Sequence, residues 1–347
     1  MAIEKTHASR TVTMQDVADH VGVTKMTVSR VLNGYAHVSP EIRENVERAI
    51  KELRYRPNSA AKAIFVKQFD AIAIVSTPIG QGYLPVGLIQ GTHEEIARHN
   101  MHLLFATLTR EQLSGQESMP KLLRELGVDG LILHNLGDVQ TEVRELLAEY
   151  DIAAIWYNTK YATDCVYPDE VAAGRKATEY LIGLGHKKIA YLHCSGEGHF
   201  SAHERRSGYV AAMTEHGFDA RCMTIYNGQD ATGRLDPEFP GKLMGYLSNN
   251  RDLTGLVCYE KNAAGPVIHA ASRLGIRVPE DLSVVAFSDG MATDLGINLT
   301  TMMVPMWDMA HCAVRMLLRK IQARDQELRG EAVEYTFHPG DTCRALS

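Results

Sequence analysis

Residues 22–30 read GVTKMTVSR, and Lys25, Met26, Thr27, Ser29 and Arg30 gather several donors and one flexible apolar group into a single short segment. Lys25 and Arg30 can donate to guanine or phosphate, Thr27 and Ser29 can bond phosphate oxygens, and Met26 can contact a thymine methyl. Such a set suits an element that enters the major groove, where early helical residues meet base edges and the helix amino end faces phosphate. The segment can work this way only if neighbouring elements hold it at a fixed angle. Thr13 and Asp16 form a capping-box variant that opens a first helix, with Val17 and Val21 on one face. Gly22 makes the turn and Thr24 caps the second helix. Ser39 caps a third with Pro40 at its first position, and Ile42, Val46, Ile50 and Leu53 recur at helical spacing until Arg56-Pro57 stops it. Three short helices around one small core are therefore expected, with the second presented to DNA.

Charge divides unevenly along the chain. Residues 1–66 hold ten Lys/Arg and seven Asp/Glu, or +3, so a total of −6 leaves −9 on the remainder. A basic front on an acidic body suits a nucleic-acid-binding head whose body is itself repelled by phosphate. The length of 347 residues points to two or three domains, and 45% hydrophobic with 22% charged residues is an ordinary globular balance. No run of about 18 apolar residues suggests a membrane span, and the first twenty residues lack the apolar stretch of a signal peptide, so the cytoplasm is the expected location. The six cysteines, Cys165, Cys194, Cys222, Cys258, Cys312 and Cys343, have no metal-ligand spacing and read as buried thiols in a reducing compartment.

From Ala71 onward apolar segments alternate with amphipathic ones. AIAIVS, HLLFAT, GLILH, IAAIWY, KKIAYLH, GLVCY and SVVAF are the expected strands, and 86–99, 171–184, 204–216 and 263–274 the expected helices. This alternation predicts parallel sheets covered by helices, with ligands at the carboxyl ends of the strands. About 275 residues are too many for one such layer, which favours two subdomains with a cleft between them.

Residues 11–64 closely resemble the head of the lactose-repressor (LacI/GalR) family of bacterial transcription regulators, through TMQDVADHVGVTKMTVSRVLNG, HVSPEIRENVERAIKELRYRPN and SAAKAI. The body resembles the same family through LGHKKIAYL, ERRSGYVAAM, GIRVPEDLSVVAFSD and LTTMMVP. The resemblance implies an α/β fold: an N-terminal three-helix helix-turn-helix head plus a two-subdomain, periplasmic-binding-protein-like body of parallel sheets flanked by helices. It implies a head at 1–57, a hinge helix and linker at 58–69, and an effector-binding and dimerisation body at 70–347. The subdomains would span about 70–162 plus 292–325, and 163–291. Lys25 and Met26 match the two positions that set operator preference, while Ser29, Arg30, Asn33 and His37 match positions that touch bases or phosphates. Ile64 stands where the family has a leucine that wedges into the minor groove, a task isoleucine can also perform.

In the cleft, Arg205 sits where the family has an arginine that grips sugar hydroxyls, and Asn158 sits at a family carboxylate. Arg110 and His134 fall at strand ends that line the cleft. The family's Asn-Asp pair is Glu260-Lys261 here, and the first aspartate of its Phe-Asp-Asp is Ser288. Losing an acid at 288 and gaining Lys261 beside Arg110, His134 and Arg205 predicts a less acidic pocket suited to a sugar acid or sugar phosphate. Glu260 works against this by neutralising Lys261. The implied partners are double-stranded operator DNA, a small carbohydrate-type effector (a sugar, sugar acid or sugar phosphate) and a second copy of the chain, with no cofactor and no metal. Apolar faces of 84–99 and 111–126 are expected to form the dimer, and the absence of a leucine heptad in HPGDTCRALS predicts that assembly stops there.

Two other classes compete. A stand-alone solute-binding protein would share the body but not residues 1–66. A sugar-phosphate enzyme carrying a DNA-binding head would need an acid and a base converging in the cleft, for which Glu260 and His134 are the available pair. The chain has no Gly-rich phosphate loop, no Gly-x-Ser-x-Gly elbow and no His-Glu-x-x-His, and HCSGEGHF reads as a strand-end loop rather than a catalytic constellation.

Overall fold

Helix α1 (Met14–Val21) begins where Thr13 and Asp16 cap each other: the Asp16 amide donates to the Thr13 hydroxyl at 3.3 Å, and the Thr13 amide donates to Asp16 Oδ2 at 2.8 Å. It ends at Gly22, whose φ of +75° is open to glycine at little cost and turns the chain into α2 (Lys25–Leu32). Ser39 and Pro40 start α3 (Pro40–Glu52), the Ile42 amide donating to Ser39 Oγ at 3.4 Å. Val17, Ala18, Val28, Val31, Val46, Ala49 and Tyr55 meet in one buried cluster. Each buried valine there contributes about 1.5–3 kcal/mol, which matters because no single helix of this length is stable alone.

The computed structural model describes residues 12–32, 35, 37–55, 68–77, 84–109, 127–134, 136, 140–196, 198–228, 236–290 and 296–346. The chain divides into two units, Met1–Phe69 and Asp70–Ser347. The second unit contains two six-stranded sheets. Strands β1 (Ala71–Ser76), β2 (His102–Thr107), β3 (Gly130–His134), β4 (Ala154–Tyr157), β5 (Cys165–Pro168) and β11 (Glu331–Val333) form the first, in the order β11-β5-β4-β3-β1-β2. Strands β6 (Ile189–His193), β7 (Arg221–Thr224), β8 (Gly255–Cys258), β9 (Ser283–Ser288), β10 (Thr300–Met303) and β12 (Thr336–His338) form the second, in the order β12-β10-β9-β8-β6-β7. All pairs are parallel except β10 with β12. The covering helices are α4 (Val86–Ala97), α5 (Gln140–Glu149), α6 (Glu170–Gly183), α7 (Phe200–Glu215), α8 (Phe239–Asn249), α9 (Lys261–Arg273) and α10 (Met306–Gln322).

The seven strands expected from apolar runs are all present, because buried parallel strands show no exposed face: every residue of β1, β3, β4, β6, β8 and β9 is buried. The subdomain boundaries differ from expectation. Cys165–Pro168 still pairs in the first sheet rather than opening the second subdomain at 163. Thr300–Met303 pairs in the second sheet rather than returning at 292. The chain crosses between the sheets at 168–170, 303–306 and 333–336. Backbone pairing sets these crossings, and four-residue strands leave too few apolar positions to mark it in sequence. The segment 111–126 lies outside the described residues. Cys165, Cys194, Cys258 and Cys312 are buried free thiols as expected, but Cys222 is exposed and Cys343 half-buried.

Candidate DNA interface and effector cleft

On α2 the hydrophobic positions Val28 and Val31 turn inward, and the helical period therefore turns 25, 26, 29 and 30 outward. Lys25, Met26 and Arg30 are exposed, Met26 by 65%, and Ser29 is half-buried beside them. Thr27 is half-buried, as Ser29 is. It lies at the edge of the buried face, its hydroxyl 2.9 Å from that of Thr24 and its amide donating to Thr24 Oγ1 at 3.2 Å. Its position two residues after Lys25 puts it some 200° around the helix from that residue, where it helps close the first turn of α2. His37 is exposed in the turn before α3, where Arg43 donates to the Tyr35 carbonyl at 2.7 Å. Asn33 and Ile64 lie outside the described residues.

In the body, the expected cleft residues end strands or begin helices. His134 is the buried last residue of β3, edge-on to Tyr157 with ring centroids 5.5 Å apart. Asn158 follows β4 with a φ of +55°, its side-chain carbonyl buried without a donor. Ser288 ends β9 and donates to the Gly290 carbonyl at 2.6 Å. Glu260 and Lys261 open α9 directly after β8. Arg110 lies outside the described residues.

Arg205 is not free to grip a ligand with two parallel donors. It is buried in α7, with Nε and Nη2 donating to the Glu170 carboxylate at 2.5 and 3.1 Å, Nη1 to the Tyr259 carbonyl at 2.7 Å, and Nη2 also to the Tyr335 hydroxyl at 2.9 Å. Its guanidinium lies 4.4 Å from the Phe287 ring centre and 4.8 Å from that of Tyr259. Burial opposes the charge, but Tyr335, Glu170 and Tyr259 outweigh it and keep Arg205 protonated. Sequence reading missed Glu170 and Tyr335, which are separated from Arg205 by 35 and 130 residues and carry no local signal.

Among the described residues, two of the cations expected to make the cleft basic, Arg205 and Lys261, are paired with acids within the protein. Lys261 pairs with Asp289 at 3.4 Å rather than with Glu260. Glu260 makes no side-chain cap to its own helix, and burial pushes its carboxyl above the usual range against the lowering influence of the Ser195 hydroxyl and the Arg205 charge. Ser195 Oγ also lies 3.2 Å from His193 Nε2. Glu260 and His134, the pair available to an enzyme, stand at strand ends of different sheets.

A hydrogen-bonded chain joins the two sheets. The Ser201 amide donates to His199 Nδ1 at 3.3 Å, so that nitrogen is an acceptor and also takes the Ser201 hydroxyl at 2.7 Å, while Nε2 donates to the Asn158 main-chain carbonyl at 3.1 Å. The Ser201 oxygen in turn accepts from the Tyr259 hydroxyl at 2.7 Å. This assigns His199 as the neutral Nε2–H tautomer, and burial accordingly lowers its pKa. Lys160 and Glu204 make a second link at 2.5 Å.

A helix-turn-helix head with an outward cationic face, carried in one chain with a body of two parallel sheets, defines the class of DNA-binding proteins with an α/β body. Residues 13–58 match the model of bacterial regulatory proteins of the lacI family, and 178–343 match a periplasmic binding protein-like domain. The chain is 30% identical over 314 residues to the HTH-type transcriptional regulator GalS of Salmonella typhimurium, covering 89% of each. It superposes on the lac repressor dimer bound to operator and the anti-inducer ONPF with a TM-score of 0.79 at 23% identity, covering 97% of this chain and all of that one. A complex of the transcriptional regulator CelR with cellobiose gives 0.65 at 25% identity, covering 95% and 99%. The chain belongs to the lacI family of bacterial regulatory proteins and is a transcription regulator. Among the described residues no helix is long and apolar enough to cross a membrane.

Proposed function

We propose that this regulator acts as a homodimeric repressor in the cytoplasm, binding two-fold-related operator half-sites, and that a small carbohydrate-type effector in the body cleft modulates its affinity for DNA. The observation that carries the reading is the outward set Lys25, Met26, Ser29 and Arg30 on the second helix of the head, in one chain with a two-sheet body. A single head makes too few contacts for tight specific binding, so two heads at matched half-sites are required. Asn158, Glu260, Lys261 and Ser288, with His134 and Arg110, are the proposed cleft residues, and Arg205 supports them from beneath. Effector binding that closes the cleft shifts one subdomain against the other and is coupled to the heads. By linkage, operator and effector must then change each other's affinity by the same factor.

The test is selection of an operator from random duplexes, followed by fluorescence anisotropy with and without candidate sugars. Arg30→Ala is expected to weaken binding by about 1–3 kcal/mol, roughly 5- to 150-fold, and to relax preference at one base pair. A change within about twofold removes Arg30 from the interface. Sedimentation velocity at micromolar concentration is expected to give a dimer. A monomer there would rule out the two-head mechanism.

A further inference from the structure

Two large hydrophobic side chains stay in solvent among the described residues 12–55 of the head: Met26 is 65% exposed and Tyr35 60%. Single apolar side chains are ordinary on a surface, but these two are both tied to Arg30. Met26 and Arg30 are four residues apart and share one face of α2. The Tyr35 amide donates to the Arg30 carbonyl at 3.0 Å, which folds the turn back against the end of that helix. The Tyr35 carbonyl accepts from Arg43 Nη2 at 2.7 Å, so α3 fixes the same residue from its other side. Both main-chain groups of Tyr35 are therefore committed while its ring is left outside, and His37, two residues on, is exposed as well. Arg43 is half-buried and gives its guanidinium to a main-chain carbonyl. A cation placed this way on a DNA-binding head serves position. With the backbone already held, only the side-chain torsions of Tyr35 remain to be ordered when a partner is met, which lowers the entropic cost of a contact there.

We propose that Tyr35 is a further DNA contact: its phenol hydroxyl donates to a phosphate oxygen of the operator beside the base pair read by Arg30, and Arg43 is the positioning residue that holds it there. This rests on the docking of α2 proposed above. Tyrosine hydroxyls are among the donors that serve phosphates, and such contacts fix register and orientation without carrying sequence. The phenol is neutral, so it adds affinity beside Arg30 without releasing a further counterion.

The experiment is fluorescence anisotropy on the full chain, with the selected operator and its single-base-pair variants, across a salt series. Tyr35→Phe removes only an exposed hydroxyl. It is expected to weaken all the duplexes by one common factor of about tenfold, the scale of a hydrogen bond to a charged group. The slope of log affinity against log salt should match that of the unaltered chain, because no charge is lost. Ethylation interference should lose one phosphate in each half-site. Arg43→Met is expected to give a similar loss with an unchanged slope, and the double variant to be no weaker than either single one. Each variant's melting transition reports that it is folded. A Tyr35→Phe effect within about twofold, or a loss confined to the operator with relaxed base preference, overturns the contact. A slope reduced by about one in Arg43→Met, or losses that add in the double variant, shows Arg43 on a phosphate of its own and overturns its positioning role. If Arg30→Ala is silent too, the docking of α2 is wrong; if Arg30→Ala weakens binding and Tyr35→Phe does not, only the tyrosine is.

Discussion

Gly208→Ala is expected to destabilise the body by about 3 kcal/mol, the upper end of what overpacking usually costs. Helices α6 and α7 cross so closely that a Cβ at Gly208 would lie 2.1 Å from the Val171 carbonyl oxygen and 2.7 Å from the Arg175 nitrogen. Across the same crossing a Cβ at Gly174 would lie 2.2 Å from the Arg205 carbonyl oxygen. Backbone atoms cannot step aside as a side-chain end can, so the helices must move apart. That movement also draws Arg205 on α7 away from Glu170 at the start of α6. Gly245→Ala is the matched control: it lies inside α8 with nothing within 4 Å of its added Cβ. There alanine is expected to be neutral or to stabilise by up to about 1 kcal/mol through helix propensity. Urea unfolding followed by circular dichroism compares the two, and equal stability of both variants would show that the helices do not touch at Gly208.

Arg205→Ala should cost about 3–5 kcal/mol, because it leaves the Glu170 carboxylate, 1% exposed, without its cation. The double variant Arg205→Met with Glu170→Leu removes both charges and keeps the apolar contacts with Phe287 and Tyr259. It is expected to recover much of that loss, since desolvating an ion pair costs nearly as much as the pair returns. A double-mutant cycle through the single and double variants isolates the coupling. A loss below about 1 kcal/mol for Arg205→Ala would mean that the guanidinium is not committed to Glu170. In that case it would be available to a ligand, as the family resemblance had implied.

The two halves of this prediction differ in how far they could be read in advance. Arg205 stood out through ERRSGYVAAM, but its partners did not, because Glu170 and Tyr335 have no spacing relation to it and meet it only when α6, α7 and the end of the chain pack together. Lys261 was recognised as a departure from the family, yet its charge was judged without Asp289, which follows a different strand. Glu260 reads from sequence as the neighbour that neutralises Lys261, and the fold pairs Lys261 elsewhere. Charge within a cleft is a sum over elements brought from both sheets, and one-dimensional spacing does not contain that sum.

What the amino-acid order determined by itself was everything governed by local geometry. Thr13 and Asp16, Gly22, Thr24, Ser39 and Pro40 bound three helices through caps and turns a few residues long. Apolar runs identified the strands buried on both faces, and the division of charge separated head from body. Only the tertiary structure decided the strands of three or four residues, the three crossings between sheets and the pairing of the buried ions. Those depend on which distant segments lie side by side, and hydrogen-bond register and Coulomb attraction act across space without regard to separation along the chain.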